Sequence, residues 1–482
     1  MTQPGEREDK KVKRKQSTAG LNGKQLRVEF TSKPMTAYGG AAALLGPFLG
    51  KVGLRESVEE HWPFREHSPN GGGVYEKFLA QFLTVLAGGQ RFSHLLWWGH
   101  GAEVLGKAFS VGWLPSSPSA LTRFWGKFRS RGPAESWGNA ARAMASAIVA
   151  WEGALGDDMI LDSSVLTRYG GQEGARKGYN PEKPGRPSHH PILAALGCGY
   201  VVNLWNRSGD TFTAQSAGDF LDQALAALGP GFTTRRVLCD SGFCHAPFLR
   251  HMEDRRLRYI AAVRLSRAMQ RRIMRVDAWR RVDEGIEVGE FDYHLKSDPE
   301  RKRRRYVVVR QEVAKRPKAA GKQPSLFRDM EPWREYRIGL LVTNEEDLAP
   351  VEVWRAYRLR ADAENVIKDL KEGYGMASFS KRGFWATEAV MVTNALVFHN
   401  LVHALTRLVL HPNPPRPQLK TIRPRYFLIP AVLGSAGGEP VLRLGVKDRA
   451  FRARLSYLFE KLGDWRHTLN CNAVGLPQGQ PM

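Results

Sequence analysis

The sequence predicts an α/β protein: a mostly helical N-terminal domain, then a mixed sheet covered by helices and interrupted by a β-rich insertion. Three observations predict it. Apolar residues recur at helical spacing before residue 150. Near residue 157 the pattern changes to short apolar runs that alternate with helical stretches. From 264 to 345 it alternates with a period of two, before helical spacing returns.

Taken in order, residues 1–35 read as a flexible tail, with Lys10, Lys11, Lys13, Arg14 and Lys15 clustered together. Val74 to Leu86 has helical apolar spacing, and a second helix is expected from Ser119, with that serine as its cap. Trp97, Trp98 and Trp125 are candidates for the core of this region. Met159 to Asp162 begins a strand, and Ile192 to Trp205 supplies one or two more. Asp219–Leu228 and Phe248–Arg255 look helical, while Arg236–Asp240 and Arg258–Val263 look like strands. The insertion holds strand-like runs at Tyr306–Arg310 and Tyr336–Val342, around a basic loop from Lys315 to Lys322. After it come a helix over 357–371, a buried apolar helix over 385–410, a proline-rich break at 412–417, and a final helical piece from Arg449 to Leu462. Charged and polar residues interrupt the 385–410 run, which argues against a membrane span.

Composition narrows the function. The chain holds 72 Lys and Arg against 48 Asp and Glu, a net charge of +24 with a pI near 10.0. Such an excess implies a polyanionic partner, because each neutralised phosphate releases condensed counterions. The helical region over 36–150 is then a candidate DNA-binding domain of helix-turn-helix type, with Arg123, Lys127 and Arg129 facing phosphates. The four cysteines, Cys198, Cys239, Cys244 and Cys471, form no CxxC pair. Neither a zinc knuckle nor a disulfide framework is supported, and a reducing cytoplasm fits. The N-terminus, MTQPGEREDKKVKRKQ, has no apolar run of the kind a secretory signal needs.

The chemistry-bearing residues lie on the helix over 357–371. At about 100° per residue, Arg360, Glu364 and Lys371 all fall within roughly 60° of Tyr357. Leu359, Ala363, Val366, Ile367 and Leu370 gather on the opposite face, which is built for burial. Polar helix faces are usually just solvated, and Arg360–Glu364 and Glu364–Lys368 are ordinary i,i+4 pairs. Two aspartates change that reading. Asp162 and Asp240 each end an apolar strand and precede small residues, Asp-Ser-Ser and Asp-Ser-Gly. Neighbouring strand ends bring such groups together, and two Asp with one Glu make an oxygen-only site suited to two Mg²⁺ ions, with Mn²⁺ equally admissible.

The spacing of Tyr357, Arg360, Glu364 and Lys371 resembles the YREK signature of DDE transposases from bacterial insertion sequences. The surrounding run from Ala356 to Gly375 is similar to that family beyond the four letters, as are Asp162-Ser-Ser-Val, Lys177-Gly-Tyr-Asn180, Gly185-Arg-Pro-Ser188 and Asp240-Ser-Gly-Phe243. The resemblance covers about residues 155–400.

It implies a ribonuclease H-like catalytic domain over 151–263 and 346–412, an insertion domain over 264–345 and a C-terminal region over 413–482. It implies cut-and-paste transposition of an element bounded by inverted repeats. Asp162, Asp240 and Glu364 would bind the metals and carry catalysis, and Tyr357, Arg360 and Lys371, with Lys368 beside them, would contact DNA phosphates. Relatives pass through a hairpin at the transposon end, and flipping a base onto an aromatic side chain would ease the distortion. Trp333, Trp279 and Tyr336 are the candidates, although core of a small β domain is the more ordinary reading of any one of them. The segment 264–337 carries 21 Lys and Arg against 12 Asp and Glu, so Arg301–Arg305 is a candidate DNA-gripping edge. His189 and His190 are not read as ligands. The expected partners are double-stranded DNA, as transposon ends and target, and a second copy of the chain in the synapse, with no membrane. The alternatives are a catalytically silent DNA-binding derivative and a metal-dependent nuclease that cuts without joining.

Overall fold

The computed structural model describes residues 18–21, 24–27, 30–65, 72–153, 156–295, 298–315, 335–412 and 417–469. Trp333, Cys471 and most of the 1–35 tail and of the Lys315–Lys322 loop lie outside the described residues.

Helical spacing before residue 150 becomes α1 (Gly39–Val52), α2 (Val74–Leu86), α3 (Pro118–Trp125) and α4 (Arg131–Ala150), with shorter helical turns between them. α1 stops where Gly53 takes φ of 71°, a left-handed conformation that a Cβ disfavours. α2 has the expected bounds. The cap of α3 is Ser117, not Ser119: its hydroxyl accepts from the Ser119 N–H, and Pro118 takes the first helical position, where a missing N–H costs nothing. Trp98 and Trp125 are buried, but Trp97 is 52% exposed and stacks on His94 at 4.0 Å. Successive residues on a helix point about 100° apart, so only one of the adjacent pair faces the core.

The sheet starts with β1 (Gly156–Ser163), antiparallel to β2 (Ile192–Leu196), which is antiparallel to β3 (Val201–Trp205). After α5 (Ala217–Leu228), β4 (Thr233–Cys239) returns parallel to β1 on its free side. After α6 (Ala246–Asp254), β5 (Tyr259–Ala262) adds parallel to β4. The fully buried run Met159–Leu161 suits a central strand covered on both faces.

The segment expected as a separate insertion domain forms β6 (Arg280–Asp283), β7 (Ile286–Tyr293), β8 (Arg304–Glu312) and β9 (Tyr336–Thr343). These strands do not make a sheet of their own. β9 pairs antiparallel with β5, giving one nine-stranded sheet in the order β6-β7-β8-β9-β5-β4-β1-β2-β3. Without β9, the edge of β5 would expose unpaired N–H and C=O groups. Only Leu341–Thr343 of β9 pair with β5. The rest of β9, with its partners Arg310–Glu312, therefore projects past the C-terminal ends of β4 and β5.

The cover comes from α7 (Pro350–Arg358), α8 (Arg360–Glu372), α9 (Phe384–Leu410) and α10 (Arg449–Gly463). α9 is long and apolar enough to cross a membrane, yet 94% of its apolar window is buried inside the protein. It ties the N-terminal helices to the sheet: Phe398 stacks on Phe82 at 4.4 Å, and Thr393 accepts from the Trp137 indole at 2.9 Å. The single helix expected over 357–371 is broken at Leu359. There Leu359 N–H bonds Ala356 O at 3.1 Å, and Asp362 N–H bonds Leu359 O at 3.0 Å. These i,i−3 bonds tighten the turn. They rotate Leu359 outward, so it is 46% exposed instead of buried with Ala363, Ile367 and Leu370. Tyr357 ends α7, and Arg360, Glu364 and Lys371 ride on α8.

Candidate active site

Leu161 of β1 is paired with Cys239 of β4, so the next residues on two adjacent parallel strands are Asp162 and Asp240. Strands in a sheet lie about 4.8 Å apart, which brings the two carboxylates to one edge. Each is held by local hydrogen bonds. Ser163 N–H donates to Asp162 Oδ1 at 2.8 Å, and Gly242 N–H donates to Asp240 Oδ1 at 2.9 Å. A Cβ on Gly242 would lie 2.9 Å from Thr213, so the Asp-Ser-Gly turn needs its glycine for a close approach.

α8 brings the third carboxylate through an arginine. Arg360 Nη2 donates to Asp162 Oδ2 at 2.9 Å, and its Nη1 donates to Glu364 Oε1 at 3.0 Å. The side chains of Asp162 and Arg360 are 9% and 14% exposed, whereas that of Glu364 is 64% exposed. Burial pushes the Asp162 carboxyl up to about 6; Arg360 opposes this, and the negative charges of Asp240 and Glu364 add to it. Burial works against the Arg360 cation, but the surrounding carboxylates outweigh it and raise its pKa. Burial likewise raises the Tyr357 phenol, which faces Arg360, Asp240 and Asp162.

Among the described residues, no three His, Cys, Asp or Glu side chains are gathered closely enough to hold an ion. The physical reason is charge: Arg360 binds Asp162 and Glu364 individually, and like charges do not gather without a cation between them. The donors still fit a hard divalent cation, because Asp162 and Glu364 have one arginine between them, Asp240 adds negative charge beside Asp162, and all three offer oxygen ligands.

Of the other expected contacts, Lys371 is partly exposed and Lys368 exposed on α8. Arg123 is exposed on α3 and bonds Ser119 of its own helix; Lys127 follows the end of α3, on the helical region and not on the sheet edge. Trp279 and Tyr336 flank the Arg310 guanidinium at 4.1 and 4.8 Å, on the projecting end of β8 and β9. Of Arg301–Arg305, Arg301, Lys302 and Arg303 are exposed, and the other two are held within the fold. Arg304 is buried against Glu253 and Asp298, and Arg305 bonds Glu290 and two backbone carbonyls. Both pair at the Thr343 end of the sheet, opposite the carboxylates.

One buried group beside the aspartates was not assigned from the sequence. His190 Nε2 lies 3.1 Å from Ser163 Oγ, and its Nδ1 lies 2.8 Å from Thr211 O. Burial pushes the imidazole below its ordinary value, which favours the neutral ring. The available signal was a polar residue, Ser163, directly after the strand-ending aspartate.

The family model for the transposase DDE domain matches residues 154–399, just over half of the 482 residues and all three carboxylates. The chain belongs to this DDE transposase family. No curated protein matches. Among solved structures, the chain is similar to the piggyBac transposase synaptic complex with hairpin DNA, at 11% identity and a TM-score of 0.38, over 88% of this chain and 84% of that one.

Proposed function

We propose that this DDE transposase performs cut-and-paste transposition of a bacterial insertion sequence of the YREK group, cutting DNA at terminal inverted repeats and joining the freed ends to target DNA. The observation that carries this is the meeting of Asp162, Asp240 and the Arg360–Glu364 pair at one sheet edge. The order β3-β2-β1-β4-β5, three antiparallel strands followed by two parallel ones, supports a ribonuclease H-like reading of the catalytic core.

Asp162, Asp240 and Glu364 would hold divalent ions, Mg²⁺ or Mn²⁺, through their oxygens. Such ions, when bound, activate the attacking water or 3′-hydroxyl and stabilise the leaving oxygen. Once Asp162 and Glu364 no longer engage it, Arg360 is free to grip a DNA phosphate, with Lys371, Lys368 and the Tyr357 phenol along the same helices. Trp279, just before β6, and Tyr336, on β9, would have to release Arg310 to offer a face to a base displaced at the DNA end; the hairpin route rests on the family resemblance. A dimer in the synapse and action on cytoplasmic DNA belong to the same proposal.

A cleavage assay on DNA carrying the element's own ends, with Mg²⁺ or EDTA, tests it. Metal-dependent breaks at the repeat boundary, lost in Glu364→Ala with end binding kept, support transposition. Tight end binding with no cutting moves the reading to a silent DNA-binding derivative, and cutting without joining moves it to a nuclease.

A further inference from the structure

Asp162 is not oriented by Arg360 alone. Ser163 N–H holds one Asp162 oxygen, and the Ser163 hydroxyl contacts His190 Nε2. The tautomer of His190 follows from its other contact. Thr211 O is a carbonyl and can only accept, so Nδ1 carries the proton. Nε2 of the neutral ring is then an acceptor, and the Ser163 hydroxyl must donate to it. The direction of every bond in the chain Asp162, Ser163, His190, Thr211 is thereby fixed.

The histidine is itself locked in place. His190 N–H donates to Arg207 O at 2.9 Å, and Arg207 Nε donates back to His190 O at 3.0 Å. Arg207 Nη1 also donates to Thr213 O at 3.0 Å and Gln215 O at 3.2 Å. His190 and Arg207 are both buried. Thr213 abuts Gly242, whose N–H holds Asp240. One segment, 207–215, anchored by the buried Arg207, therefore braces the turns behind both aspartates. An apolar residue at 190 would fill the space equally well, but it would leave the Ser163 hydroxyl and Thr211 carbonyl without these partners.

We propose that His190, by anchoring the Ser163 side chain, is a positioning residue that fixes the turn whose Ser163 N–H holds the Asp162 carboxylate for cation binding, with Arg207 as the clamp that holds it. This rests on the reading that Asp162 and Asp240 hold a divalent ion. Outer hydrogen-bond partners of metal-binding carboxylates and imidazoles commonly change metal affinity by about 10–100-fold.

The test is Mn²⁺ affinity of the full chain, measured without DNA by the EPR signal of free Mn²⁺, with thermal unfolding and end-DNA binding measured on the same samples. Ser163→Ala should weaken Mn²⁺ binding by about 10–100-fold with DNA binding and unfolding temperature kept, and Ser163→Thr, which retains the hydroxyl, should restore it. His190→Gln combined with Ser163→Ala should be no worse than Ser163→Ala alone, because the two act as one unit. Wild-type affinity in Ser163→Ala, or a Ser163→Thr variant as weak as Ser163→Ala, overturns the proposal. Asp162→Asn separates the two levels. If it abolishes binding while Ser163→Ala does not, only the role of His190 falls. If Asp162→Asn binds Mn²⁺ as the wild type does, the metal-site reading falls and takes this proposal with it.

Discussion

β1 carries a buried aspartate at each end, and the two ends are built differently. Asp158 and Asp162 are four residues apart on the same face of the strand, and both are buried. At the first end, Arg236 reaches Asp158 at 3.1 Å, Arg235 reaches Asp158 and Asp157 at 3.7 and 4.0 Å, and Glu345 lies 3.8 Å from Arg236 and 3.6 Å from Arg258. With Asp347 3.5 Å from Arg258, four carboxylates meet three arginines there. At the other end Arg360 bonds Asp162 and Glu364 with Asp240 beside them, and among the described residues no second cation pairs with the three. Burial raises both aspartates, but the first end is the more fully compensated from within the fold, by three arginines against one. Charge buried in compensated pairs serves architecture; charge left uncompensated at a sheet edge serves to draw in a cation.

The comparison is broken most sharply at its compensated end. Arg236→Ala leaves Asp158 buried without its nearest partner, and breaking such a pair costs about 3–5 kcal/mol. Denaturant unfolding should show a loss of that size, a large share of a typical domain's stability. A loss under about 1 kcal/mol would mean that the network is not structural.

At the uncompensated end, Arg360→Gln should act in the opposite sense on metal. Removing the one cation beside Asp162 should tighten Mn²⁺ binding to the DNA-free protein by about tenfold, while weakening grip on the DNA end. Weaker Mn²⁺ binding in this variant would show that Arg360 organises the carboxylates and does not compete for them.

The smallest effect is a pH dependence. With Asp162 pushed up to about 6, Mn²⁺ affinity should be flat above pH 7 and fall as pH drops through 6, because the proton displaces the ion. The metal-free protein should respond in the other direction. A carboxyl raised above its unfolded value contributes stability that is present in acid and lost as pH rises through about 6. Calorimetric titrations between pH 5 and 8 check the first slope and thermal unfolding the second; Mn²⁺ affinity independent of pH would contradict the placement of Asp162.

The sequence made the strand ends legible because burial on both faces gives continuous apolar runs, as at Met159–Leu161 and Val237–Cys239, which the two aspartates then terminate. Helix α2 was legible for a similar reason, its apolar spacing being uninterrupted from Val74 to Leu86. What stayed hidden depends on long-range partners. Nothing local to Tyr336–Thr343 says that it will pair with Tyr259–Ala262 and extend the central sheet. Arg304 looks like any member of a basic run until Glu253, 51 residues away, comes to its side. The tightened turn at Leu359 defeats an ideal helical wheel. The link from Ser163 to His190 spans 27 residues and involves a histidine that no motif marks.

The most direct test of the central claim is Mn²⁺ binding to the wild type and to Asp240→Asn, read by EPR on the folded, DNA-free chain. The uncompensated sheet edge predicts that the wild type binds and that Asp240→Asn loses at least tenfold in affinity with its unfolding temperature kept. Equal binding by the two proteins would contradict it.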